Sequence, residues 1–255
     1  MQFELCASSL SQLTEIIELI KQFKIKSICL PNKSNLLSNL ELAKALLKQL
    51  PDLDITLNFA VSNHYKKSQN ILQVFQQFED IAKTVSINRF LVVSGGQKKS
   101  VDSMYLLNKL AGTGSEESSF YCAYNPFLSD EGLLLENQRL ISKLNLNLIK
   151  GVYLQVGSDL AKLRSGLGFI RQIDSTIPVY GSLLIPNRLM LNRFKFRPWR
   201  GVYLSDEYLN NLDIAEKHTH QIRGIYNDFN VLELVVIMPF TATNLIDFHQ
   251  NYALL

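Results

Sequence analysis

Residues 53–93 read LDITLNFAVSNHYKKSQNILQVFQQFEDIAKTVSINRFLVV, and this stretch decides the fold. It opens on a β-rich run, Leu53 to Phe59, and closes on another, Arg89 to Val93. Between them Ile71, Leu72, Phe75, Phe78 and Ala82 recur at the spacing of one helix face. A strand, a crossover helix and a second strand form a unit whose two strands lie parallel.

The same alternation runs outward in both directions. Further β-rich runs lie at Gln2 to Cys6, Ile25 to Leu30, Phe120 to Ala123, Ile149 to Leu154, Ile177 to Leu183 and Val231 to Met238, which makes eight in all. Helix-spaced apolar residues separate the early ones: Leu10, Leu13, Ile16, Ile17 and Ile20, then Leu36, Leu40, Ala43 and Leu47. Strand starts are about 23 to 35 residues apart, one βα unit each, until a last gap of about 55. Eight such units predict a single (β/α)8 TIM barrel over residues 1–255, with an insertion between strands 7 and 8 around Arg188 to Glu216. The 255 residues suit that fold, for which roughly 250 are usual. An open doubly wound sheet is the competing arrangement, but no G-x-G-x-x-G follows the first strand. Gly112-Thr113-Gly114-Ser115 follows a helix-like segment and reads as the loop before strand 5. No Pro/Gly-rich linker divides the chain, so one domain is expected.

Composition narrows the class. With 47% hydrophobic and 19% charged residues the chain can bury a large core and is not disordered. Lys and Arg exceed Asp and Glu by three, 26 against 23, and the longest basic runs are pairs. That balance predicts neither nucleic acid nor membrane as a partner. Cys6, Cys29 and Cys122 are far apart and odd in number, which excludes a disulfide framework or zinc ribbon and suits a reducing compartment. No signal peptide is visible and no run of about 18 apolar residues occurs, so a cytoplasmic protein is expected.

In a closed parallel barrel chemistry gathers at the C-terminal ends of the strands. The polar residues there are Glu4, Asn32, Asn58, Ser94-Gly95-Gly96-Gln97, Tyr124-Asn125, Gln155 and Asn187. Strand 1 alternates with period two: if Phe3 and Leu5 pack on helices, Glu4 points into the barrel. Desolvation there would make it a proton donor near neutral pH; the opposite register, or a distant Lys or Arg partner, would remove that role. Gln155 closes strand 6 on the face shared with Tyr153, and its carboxamide suits either the edge of a heteroaromatic ring or the capping of a loop. Asp159 reads as a helix N-terminal residue. Gly95 and Gly96 allow a flat ligand or a phosphate near the backbone, as does any tight turn. His64, His218, His220 and His249 form no metal signature and read as solvated. The run Arg193 to Arg197 is either an anion or partner contact or a snorkelling surface stretch.

Taken in order, these strand ends resemble the methylenetetrahydrofolate reductase family, whose catalytic domain is a flavin-binding (β/α)8 barrel. Phe3-Glu4-Leu5 resembles the family's Phe-Glu-Phe strand. Ile87 to Gly95 resembles the strand 4 segment, and Ala123-Tyr124-Asn125-Pro126 is similar to Ala-Tyr-Pro-Glu after strand 5. Gln155, four before Asp159, matches Gln-Phe-Phe-Phe-Asp, and Ile177-Pro178 with Gly181 to Asn187 resembles the turn after strand 7. The likeness spans nearly the whole chain through partial motifs. Gly96 stands where the family has Asp, and the segment Asn58-Phe59-Ala60-Val61 lacks the family's flavin-contacting His.

The resemblance implies an FAD-dependent oxidoreductase of one-carbon and methionine metabolism, reducing 5,10-methylenetetrahydrofolate to 5-methyltetrahydrofolate with NADH or NADPH as donor. It implies Glu4 as general acid and Gln155 as the folate contact. Ser94, Gly95, Tyr124 and Lys143 would hold FAD, with Glu136, Asn137 and Arg139 the nearest counterparts of the remaining FAD contacts. A folate-type small molecule is the expected ligand, a homo-oligomer the expected state where copies associate, and no metal is expected. The alternative is a catalytically silent barrel of the same ancestry that binds a pterin or a protein partner. A third reading is another flavin-linked barrel of proline dehydrogenase type.

Overall fold

A computed structural model describes residues 1–5, 10–31, 36–65, 70–95, 101–113 and 117–237. Eight strands occur, β1 (Gln2–Leu5), β2 (Ser27–Leu30), β3 (Asp54–Ala60), β4 (Arg89–Val93), β5 (Ser119–Tyr124), β6 (Ile149–Leu154), β7 (Val179–Leu184) and β8 (Leu232–Ile237). They form a closed parallel barrel in sequence order, which excludes the open doubly wound sheet. Ten α-helices accompany them among the described residues: α1 (Leu13–Gln22), α2 (Leu36–Gln49), α3 (Val61–His64), α4 (Ile71–Lys83), α5 (Ser103–Ala111), α6 (Asp130–Leu144), α7 (Leu160–Ile173), α8 (Arg188–Phe196), α9 (Asp206–Asn210) and α10 (Leu212–Asp228).

Each predicted strand is present; β4 and β6 have the expected bounds and the ends of the others move by at most two residues. Strand 7 starts at Val179 rather than Ile177 because Pro178 has no N–H to give a ladder; its carbonyl still accepts from Val152 N at 2.9 Å. Cys6 and Met238, at the expected edges of β1 and β8, lie outside the described residues. The insertion between β7 and β8 holds α8 and α9. No described helix is long and apolar enough to cross a membrane. By contacts the chain divides into two compact units: Gln2–Ala123 with Ser142–Lys150, and Met1 with Tyr124–Ile141 and Gly151 onward.

In the unit holding β1 to β4 and most of β5, the helix-facing side is aromatic. Phe75 on α4 meets Phe59 edge-on at 5.0 Å, Phe90 at 5.4 Å and Phe120 at 5.8 Å, ring centre to ring centre. Asn70 starts α4 by accepting Leu72 N at 3.0 Å, so the helix begins where its apolar stripe begins. The opposite face of these strands is polar. Gln2 Nε2 donates to Ser27 Oγ at 2.9 Å and to Thr56 Oγ1 at 3.4 Å, and Cys29 Sγ to Asn58 Oδ1 at 3.0 Å.

In the other unit, Tyr153 and Tyr180 are register partners on β6 and β7 and stack at 4.4 Å with 14° between their planes. On the helix side Gly181 admits the ring of Tyr226 from α10, whose hydroxyl donates to Ser182 O at 2.8 Å. The insertion closes on an apolar cluster of Val156, Leu184, Met190, Phe194, Tyr208 and Val236, with Trp199 packed against it.

Candidate functional site

The insertion reaches the end of β6 through main-chain bonds. Gly157 forms a parallel bridge with Tyr203; Ser158 N donates to Tyr203 O at 3.0 Å and Ser205 N to Ser158 Oγ at 2.9 Å. At the end of β5, Asn125 Nδ2 donates to Gly201 O at 2.9 Å, while its Oδ1 accepts from Phe127 N at 3.1 Å. Asn125 N in turn donates to Glu136 on α6 at 3.3 Å. These bonds hold Gly201, at φ +85°, beside Gln155.

Gln155 is half-buried at the end of β6. Its backbone N donates to Tyr124 O, and its side-chain Oε1 accepts from Val156 N, both at 2.9 Å. The amide is therefore oriented by the peptide N–H of the next residue, which leaves its donor Nε2 beside Gly201. Asn125, Gln155 and Gly201 thus meet in one unit. Sequence reading singled out the first two but gave no weight to Gly201, whose place follows from the long-range bridge between Gly157 and Tyr203.

Glu4 sits in β1 opposite Cys29 and is half-buried. Phe3 packs toward Phe23 at 6.2 Å, so by alternation Glu4 shares the side of Gln2, away from the helices. That is the register in which an acidic role is available to it.

The four residues expected to hold FAD are used inside the fold. Tyr124 is 1% exposed. Its hydroxyl donates to Asn137 Oδ1 at 2.7 Å, its ring lies toward Phe169, and burial, with Glu136 nearby, pushes its phenol far up. Lys143 is buried and donates to Ala123 O at 2.8 Å. Ser94 Oγ accepts from Ser103 N at 3.2 Å and pairs with Ser103 Oγ at 3.0 Å, at the start of α5. Gly95, at φ +87°, is required because a Cβ would overlap Ser62 Oγ, so the freed space holds a serine rather than a ligand. Glu136 and Asn137 are the partners of Asn125 and Tyr124, and Arg139 lies 3.8 Å from Glu136. As placed, each of these residues is engaged in a bond or close contact within the fold. Gly96, Gln97 and Asn32 lie outside the described residues.

Asp159 caps α7 by accepting Lys162 N at 2.9 Å, and Asn187 caps α8 by accepting Met190 N at 2.8 Å. The histidines need correction: His64 is half-buried with its ring 5.1 Å from Phe59, and His218 is half-buried with an enclosed Nδ1, because both sit where their helices meet aromatic neighbours. His220 is exposed, and His249 lies outside the described residues. Among the described residues no three His, Cys, Asp or Glu side chains cluster as a metal site.

No protein-family pattern and no curated protein sequence matches the chain. Among solved structures it is similar to an uncharacterized protein from Clostridium thermocellum that binds two copies of 5-methyl-5,6,7,8-tetrahydrofolic acid, with TM-score 0.60, 10% identity, and 96% of this chain and 89% of that one covered. A monomeric dihydrodipicolinate synthase variant is similar at TM-score 0.53 and 10% identity, over 90% and 78% of the two chains. The catalytic domain of a hyperthermophilic chitinase from Pyrococcus furiosus is similar at 0.52 and 10% identity, over 92% and 83%. At such identity the likeness establishes the barrel and nothing finer.

Proposed function

We propose that this chain is a barrel that binds a reduced folate, with the carboxamide of Gln155 holding the edge of the pterin ring. The observation that carries the reading is the orientation of that amide, Oε1 fixed by Val156 N and Nε2 presented beside Gly201. A pterin edge offers a carbonyl oxygen and ring nitrogens, which a fixed N–H donor can read. Two independent facts support it: the sequence resemblance to a folate-reducing family at the strand ends, and the folate bound by the similar Clostridium thermocellum barrel.

Flavin-dependent reduction of 5,10-methylenetetrahydrofolate, with NADH or NADPH as donor, is the second reading. Glu4 favours it, since a half-buried carboxyl on the polar side of β1 suits protonation of a bound folate. FAD would supply the hydride when bound. The burial of Tyr124 and Lys143 weighs against this reading and puts it behind the first.

Calorimetric titration with 5-methyltetrahydrofolate, followed by titration with FAD, separates the two. Saturable folate binding by colourless protein that takes up no FAD is the result expected. Yellow protein with about one FAD per chain, and folate turnover suppressed by Glu4→Gln, would favour the second reading. Absence of folate binding by the intact chain overturns both.

A further inference from the structure

The net positive charge of this protein comes from one stretch. Residues 188–200 carry Arg188, Arg193, Lys195, Arg197 and Arg200 and no carboxylate, against +3 for the whole chain, so the remainder is net negative. Among the described residues no ion pair involves Arg188, Arg193, Lys195 or Arg197. The same stretch exposes large apolar side chains, Phe196 at 83% and Leu189 at 57%. A helix C-terminus favours cations, which accounts for Arg193 and Lys195 but not for Phe196 standing in water between Lys195 and Arg197.

The converse surface is on α6, in the same compact unit. Asp130 and Glu131 open that helix without an ion-pair partner among the described residues, and no cation precedes Arg139. Beyond them Leu134 and Leu135 are 60% and 61% exposed, with Ile141 also exposed two turns on. One helix thus presents carboxylates followed by leucines, and the other presents leucine followed by phenylalanine among cations.

We propose that these two faces are the halves of one interface, α6 of one copy lying antiparallel against α8 of a second copy. Antiparallel placement brings Asp130 and Glu131 to Lys195 and Arg197 while Leu134 and Leu135 fall between Phe196 and Leu189. At about 1.5 Å per residue, the seven-residue step from Glu131 to Gln138 matches the seven-residue step from Phe196 back to Leu189. The opposed helix ends also set opposite partial charges together. Because each copy carries both faces, a two-fold axis makes the contact twice and closes the dimer without a filament. A foreign acidic protein would satisfy the cations but leave the leucines of α6 uncovered.

Charge reversal gives a decisive test by sedimentation of the full chain. The wild type is expected to form a reversible dimer. Lys195→Glu with Arg197→Glu makes both faces acidic, and Asp130→Lys with Glu131→Lys makes both basic; each variant alone should dimerise about tenfold or more weakly. Mixed together they regain the dimer, because each face then meets its opposite twice, and that recovery also shows that both variants fold. A wild type that stays monomeric at every concentration, or variants that fail to rescue each other on mixing, would overturn the proposal.

Discussion

Gly201 lies beside Gln155, so that a Cβ at position 201 would stand 3.4 Å from the glutamine Nε2, in van der Waals contact with it. The backbone there is also left-handed, at φ +85°. Gly201→Ala therefore strains the chain by about 1–3 kcal/mol and sets a methyl against the Gln155 amide donor of the candidate site. The expected outcome is a lowered unfolding midpoint together with a larger proportional loss of folate affinity. Calorimetry and a denaturant titration on the same preparation check both, and an unchanged affinity would separate Gly201 from the site.

Gln155→Glu tests the donor itself without changing the shape of the side chain. A carboxylate oxygen can still accept Val156 N, so the strand end should stay in place. The N–H beside Gly201 is lost and an acceptor replaces it. Folate affinity should fall by about tenfold or more, equivalent to about 1.4 kcal/mol, while the thermal midpoint moves little. Equal affinity in the variant would remove Gln155 from the binding site.

Much of the barrel was legible in the sequence because its signals are periodic and local. Phe75 and Phe78 stand on one helix stripe, and the strands on either side of that helix are dense in β-branched and aromatic residues. Tyr124, expected to contact FAD, turns into the fold for a reason of parity. On β5, Phe120, Cys122 and Tyr124 alternate with Tyr121 and Ala123, and Phe120 packs on Phe75 of α4, so Tyr124 belongs to the helix side. A strand-end tyrosine looks like a ligand contact until that parity is followed to its end. A lysine on a helix such as Lys143 reads as surface, although its stem can lie buried while its ammonium finds a carbonyl, here that of Ala123. Gly201 had no local signal at all, since its position depends on a bridge between residues 46 apart in sequence, Gly157 and Tyr203.

Phe75 is the residue on which the aromatic layer of its unit converges, touching Phe59, Phe78, Phe90 and Phe120. Phe75→Ala would leave a cavity among four rings that are themselves held by three strands and a helix, so collapse into it is restricted. The expected loss is about 3–5 kcal/mol in denaturant unfolding. Phe75→Leu should recover more than half of that loss, because most of the volume returns while only the edge-on ring contacts are missing. Equal losses in the two variants would mean that ring geometry, rather than filled volume, dominates the layer.

Asp174 follows α7 and ties the turn into β7. Its Oδ1 accepts from Thr176 N at 2.8 Å, from the Thr176 hydroxyl at 2.8 Å and from Ile177 N at 3.0 Å. The hydrogen bonds from Thr176 hold its carboxyl below the usual carboxylate value, with smaller help from Ile177 and from the charge of Arg171. A carboxyl whose folded value is depressed stabilises the folded state fully above its unfolded pKa, about 3.9, and that contribution disappears as pH falls through the lower folded value. Between neutral pH and about pH 5 the melting temperature should therefore show no loss from this group, and below about pH 4 the wild type should lose stability progressively. Asp174→Asn keeps an acceptor oxygen for Thr176 and Ile177 but no longer titrates. Its melting temperature should lie below that of the wild type at neutral pH and converge with it in acid. Curves that stay parallel down to the acid limit would show that the turn is held by its geometry alone and not by the charge on Asp174.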